Sequence, residues 1–76
     1  MMPYIYITTF SNKEIFGIFV QISIDGDGKS SIQVGSTTIP CNDIKSFETE
    51  NYKNEWIVER EDGYGQYSAI LNALRY

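Results

Sequence analysis

Phe16-Gly17-Ile18-Phe19-Val20-Gln21-Ile22-Ser23-Ile24 is the stretch that decides the fold. Phe16, Ile18, Val20, Ile22 and Ile24 alternate with Gly17, Phe19, Gln21 and Ser23, which gives one apolar face at the period of two that marks a strand. Asp25-Gly26-Asp27-Gly28 follows and breaks the pattern with a strong turn signal. On the other side, Ser11-Asn12-Lys13-Glu14 reads as a turn, and Tyr4 to Phe10 reads as a strand rich in β-forming residues. The core of the chain is therefore a series of antiparallel strands.

Further along, Ser30 to Val34 reads as a strand, with Gly35-Ser36 as a hairpin turn into Thr37-Thr38-Ile39. Pro40 cannot donate to a ladder, so Pro40-Cys41-Asn42-Asp43 is expected as a loop or a single helical turn. Ile44 to Glu50 and Glu55 to Glu61 read as two more strands joined through Asn51-Tyr52-Lys53-Asn54. The period then changes. Tyr67, Ile70, Leu71 and Leu74 recur at the spacing of an amphipathic helix, and Gly63 and Gly65 hold its start to about residue 65. A buried Leu71 would make Leu71→Ala cost about 2–5 kcal/mol. The expected class is mainly β (α+β): a small antiparallel sheet or SH3-like barrel of about five strands with one C-terminal helix.

The 76 residues read as one domain, 1–76, with 42% hydrophobic and 14% aromatic content, which is the composition of a folded globule. A chain this short buries only about 60% of its unfolded surface, so its stability margin is thin. No stretch reaches the roughly 20 apolar residues of a membrane-spanning helix. Met1-Met2-Pro3-Tyr4 does not read as a signal peptide, and a lone Cys41 fits a reducing compartment. The expected location is cytoplasmic, with no membrane contact. A net charge of −4 disfavours direct nucleic-acid binding and favours a basic protein partner.

Motifs for chemistry are sparse. Asp25-Gly26-Asp27-Gly28-Lys29 has the look of a calcium loop, but an EF-hand's fifth, sixth and twelfth positions fall on Lys29, Ser30 and Ser36. Gly63-Tyr64-Gly65 sits where a phosphate turn would sit, yet Ser68 replaces the third glycine, no strand follows, and Glu61 and Asp62 repel phosphate. Cys41 lacks a histidine partner, because the chain contains none, and reads as a buried or semi-buried structural thiol. No cofactor, no metal and no enzymatic activity are expected. Phe47 and Trp56 read as core. Some of Tyr4, Tyr6, Tyr52, Tyr64 and Tyr76 must be partly exposed.

One region stands out. Seven of the ten Asp and Glu residues fall between Asp43 and Asp62. If the turn centres on Tyr52-Lys53, Phe47 faces Val58 and Thr49 faces Trp56 on an apolar side. On the opposite side Glu50 then faces Glu55, Glu48 faces Ile57, Ser46 faces Glu59, and Glu61 lies beyond. Like charges directly opposite are destabilising, and the face reads either as a solvated strand face that keeps the protein soluble or as a negative patch, with Ile57 at its centre, made for a basic partner. Glu48, Glu50, Glu55, Ile57, Glu59 and Glu61 are the candidate partner-binding residues. The expected function is a small acidic protein-binding inhibitor of a nucleic-acid-handling enzyme, resembling in size and charge the phage antagonists of restriction and CRISPR systems. The alternatives are an SH3-like structural or adaptor module and an immunity protein for a toxin.

Overall fold

The computed structural model describes residues 3–59 and 62–74. Among the described residues six strands form in chain order: β1 Tyr4–Thr9, β2 Glu14–Ile24, β3 Ser30–Val34, β4 Thr37–Pro40, β5 Ile44–Glu48 and β6 Lys53–Glu55. A 3-10 turn, Cys41–Asp43, joins β4 to β5, and one helix, α1 Tyr64–Ala73, follows β6. The strands make a single sheet in the order β4-β3-β2-β1-β5-β6, with every neighbouring pair antiparallel. β1 to β4 is a simple meander, and the 3-10 turn carries β5 back to the free side of β1. The expected small antiparallel sheet with a C-terminal helix forms, with one short strand more.

One sheet face carries the core. Ile5, Ile7, Ile32, Val34, Ile39, Ile44 and Phe47 point into it, and Ile70 and Ala73 of α1 close over it together with Cys41. Trp56 stacks on Phe47 with ring centroids 5.9 Å apart, so both expected core aromatics contribute, although Trp56 is only partly buried. A fully buried aromatic of this kind contributes through both area and ring geometry.

Two strands change face in mid-course. Between Phe19 and Gln21, β2 takes two steps while β3 takes one, so Val20 is an extra residue. A bulge of this kind shifts side-chain parity. The apolar stripe of β2 is therefore not one face: Ile15 and Phe19 pack inward before the bulge, Ile22 packs inward after it, and Phe16, Ile18 and Val20 stay exposed. A second bulge at Lys45 lets β5 turn Ile44 into the core beside Thr9.

Asp43 ties the 3-10 turn to the β1–β2 turn. Its carboxylate accepts from the Ser11 hydroxyl at 2.6 Å and the Ser11 N–H at 3.2 Å, while its carbonyl accepts from the Phe10 N–H at 2.8 Å. In the β2–β3 turn, Asp25 Oδ1 accepts the N–H groups of Asp27 and Lys29, each at 2.9 Å, and Gly28 takes a positive φ of 82°. That carboxylate holds its own turn, as turn aspartates do.

The helix is rotated relative to the sequence reading. Gln66, Ile70 and Ala73 are its buried residues, with Tyr67, Ala69 and Leu74 packed alongside, while Leu71 is 37% exposed. The core-facing stripe thus includes an amide and an alanine, because a short helix lying close to the 3-10 turn has room for a small residue at Ala73. Leu71 is covered only in part, so the expected cost of Leu71→Ala falls below the range of a fully buried leucine.

Gln66 is fully buried. Its Nε2 donates to the Ile44 carbonyl at a long 3.4 Å, and its Oε1 has no hydrogen-bond partner among the described residues. A buried, unsatisfied carbonyl oxygen costs about 1–3 kcal/mol. Gln66→Met, which keeps the volume and removes both polar atoms, is therefore expected to change stability by less than about 1 kcal/mol. Gln66→Glu puts a charge in the same place and is expected to destabilise at neutral pH, with the loss shrinking as the pH is lowered. Urea titrations at pH 5 and pH 7.5 check both.

Candidate functional site

The pairing of β5 with β6 differs from the expected one. Ser46 lies opposite Glu55, Phe47 opposite Asn54 and Glu48 opposite Lys53, and the Thr49 N–H donates to the Tyr52 carbonyl at 2.7 Å. The turn therefore centres on Glu50-Asn51, two residues earlier than Tyr52-Lys53. This register sets Glu48 against a lysine, so no glutamate pair faces itself across the hairpin; opposite charges favour that arrangement. β6 ends at Glu55, and the expected strand from Glu55 to Glu61 does not form over its described part.

The candidate residues consequently divide. Glu48 ends β5 and Glu55 ends β6, both exposed; Glu50 is exposed in the turn; Ile57 and Glu59 are exposed beyond β6, with Ile57 92% accessible. Glu61 lies outside the described residues. Trp56 keeps the parity of Phe47 and stacks on it, but the expected Phe47–Val58 and Thr49–Trp56 pairs do not form, and Val58 is 68% exposed beyond β6. Asp62, at the far end of the acidic stretch, serves the helix: its Oδ1 accepts the Tyr64 N–H at 3.1 Å.

Sequence reasoning missed a second group. On the sheet face opposite the core, cross-strand partners form three rows. Glu14, Thr8, Ser46 and Glu55 make the first, Phe16, Tyr6, Glu48 and Lys53 the second, and Ile18 with Tyr4 the third. Tyr4 and Phe16 stack diagonally at 5.4 Å with planes 8° apart, and they remain 57% and 69% exposed. The Tyr6 hydroxyl donates to Glu14 Oε1 at 2.8 Å, and the Thr8 and Ser46 hydroxyls bond at 2.5 Å. The Tyr6 phenol is pushed above its ordinary value, first by its hydrogen bond to Glu14, then by desolvation, then by the charges of Glu14 and Glu48. Two carboxylates thus converge on one tyrosine beside an open aromatic stack. The bulge at Val20 lets β2 face Phe16 outward here and still turn Ile22 inward beyond it.

The other motifs are structural in their surroundings. Cys41 is buried, and desolvation pushes its thiol up, partly offset by the Ser30 hydroxyl. A raised thiol holds less thiolate at pH 8, and thiolate is the reactive form. Iodoacetamide at pH 8 is therefore expected to label Cys41 far more slowly in the folded protein than in urea; equal rates would contradict the burial. A shallow hollow of about 490 Å³ lies between the β2–β3 turn and the 3-10 turn, lined by Asp27, Lys29, Asn42 and Asp62 among others. Its charges are mixed, and Asp62 is engaged with the helix start. Among the described residues no group of three or more Cys, Asp or Glu side chains is placed to hold a metal, and no helix is long and apolar enough to cross a membrane. Comparison of the chain with protein-family models, curated proteins and solved structures finds no match.

Proposed function

We propose that this chain is a small acidic protein-binding inhibitor that occupies a basic surface of a nucleic-acid-handling enzyme, in the manner of phage-type anti-CRISPR or anti-restriction antagonists. The observation that supports it is the exposed run Glu48, Glu50, Glu55 and Glu59, none of which enters an ion pair among the described residues. Unpaired carboxylates near an exposed Ile57 steer a basic partner and give it an apolar contact once docked. Capture from a lysate of the source cells with identification by mass spectrometry supplies the partner, and kinetics at two salt concentrations then test the reading. The variant with Gln at positions 48, 50, 55 and 59 is expected to fold with nearly unchanged stability, because the one facing charge pair it removes, Glu48 with Lys53, is exposed. It should associate more slowly than the parent, and its rate should respond less to salt. Equal rates would reduce the acidic run to a solubility device.

The second reading, an SH3-like structural or adaptor module, draws on the exposed Ile57 and Val58. An apolar contact of that kind barely responds to salt, so the same kinetics separate the two.

A further inference from the structure

We infer that the outer sheet face built on Tyr4, Tyr6, Phe16 and Ile18 is the docking surface for a partner protein, and that it seats an arginine side chain of that partner between the Tyr4–Phe16 stack and the carboxylates of Glu14 and Glu48. This rests on the reading of a basic partner given above and centres its contact on the outer sheet face, which shares Glu48 and Glu55 with the acidic run.

The geometry carries it in three steps. First, the face is open: Tyr4 and Phe16, stacked on each other, remain 57% and 69% exposed, although α1 covers the opposite face. Flat, exposed aromatic area of this sort is the usual centre of a protein interface. Second, the charges around it are unbalanced. Among the described residues Glu14, Glu48 and Glu55 stand on this face against Lys53 and the bulge residue Lys45, and neither Glu14 nor Glu48 makes an ion pair. Third, aromatic faces beside carboxylates match one side chain best. A guanidinium stacks on a ring and donates to more than one carboxylate at once, which a lysine ammonium does less well.

The competing occupants fit less well. A second copy in a two-fold contact would bring the same acidic rim against itself. A nucleic acid would stack on the rings but set its phosphates against Glu14 and Glu48.

The test uses the whole chain, labelled with nitrogen-15, titrated with a blocked (Gly-Arg)4 peptide and its (Gly-Lys)4 counterpart. Amide shifts are expected to concentrate on Tyr4, Tyr6, Phe16, Ile18 and Glu48, and the arginine peptide should bind about threefold or more tighter than the lysine peptide. Phe16→Ala and the Glu14→Gln, Glu48→Gln pair should each weaken the arginine peptide about fivefold or more. Glu59→Gln should not. All these positions are exposed, and a dispersed spectrum certifies that each variant is folded. Shifts confined to residues 50–59 would overturn this inference and leave the proposed function standing. Absence of binding by either peptide would overturn both. Movement of the same amides on simple dilution of the protein would assign the face to a second copy, and tighter binding of an oligothymidylate there would assign it to a nucleic acid; each result overturns the inference.

Discussion

Gly63→Ala is expected to destabilise the protein by about 2–5 kcal/mol, enough to unfold much of the population in a chain whose total stability lies near 4–11 kcal/mol. Two costs combine. Gly63 holds a φ of 65°, a left-handed conformation that costs a residue with a Cβ about 1–2 kcal/mol. Its added Cβ would also lie 2.5 Å from the Asn42 backbone nitrogen and 2.9 Å from the Cys41 carbonyl carbon, backbone that cannot move aside without shifting the 3-10 turn. Such overpacking costs about 1–3 kcal/mol. Gly28→Ala is the control, because Gly28 also has a positive φ but nothing within 4 Å of the new atom. It should cost only the conformational part, about 1–2 kcal/mol. Urea titrations of the two variants check this, and equal losses would show that the close approach of helix start and 3-10 turn is not made.

Phe47→Ala is expected to cost about 3–5 kcal/mol. Phe47 is fully buried at the centre of the core, paired through the sheet with Ile7 and stacked on Trp56. Truncation leaves a cavity on the side where Phe47 stacks on the Trp56 ring. The loss should therefore appear in tryptophan fluorescence as a red shift even under conditions where the variant stays folded. A cost below 1 kcal/mol with unchanged fluorescence would mean that Phe47 is not the hub of the core.

Much of the fold is legible in local chemistry. Asp25 to Gly28 and Gly35-Ser36 announce their turns through residues that tolerate unusual φ or hydrogen-bond to their own backbone, and Pro40 announces the break before β5. The helix is announced by the change of period after Gly65. The bulge at Val20 is not announced, because Phe19 is as apolar as its neighbours and the stripe continues on both sides of the shift. Hydrophobicity alone then puts Phe16 and Ile22 on one face. The turn between β5 and β6 is similarly ambiguous, since Glu50-Asn51 and Tyr52-Lys53 preserve the same parity and differ in which residues meet: Asn54 or Val58 opposite Phe47, and Lys53 or Ile57 opposite Glu48. The preference for Lys53 opposite Glu48 is the physical signal that selects between them. In the helix, Gln66 is buried by its position against Ile44, a contact between segments that no local pattern encodes.

The candidate site suffers most from the same ambiguities. Glu48, Glu50, Glu55 and Glu59 are exposed as expected, but the register disperses them along the hairpin and the segment after it, and the aromatic face becomes visible only when the bulge is known.

The docking surface on the outer sheet face depends on β2 presenting Phe16 outward and Phe19 inward, so the most direct measurement compares Phe16→Thr with Phe19→Thr in the same urea titration. The two substitutions make the same change of residue in the same strand. Phe16→Thr should cost about 1 kcal/mol, the worth of its stack on Tyr4. Phe19→Thr should cost about 3 kcal/mol or more, the worth of an aromatic packed on the core. If Phe16→Thr costs as much as Phe19→Thr, the aromatic face is part of the core and no open docking surface exists on that side of the sheet.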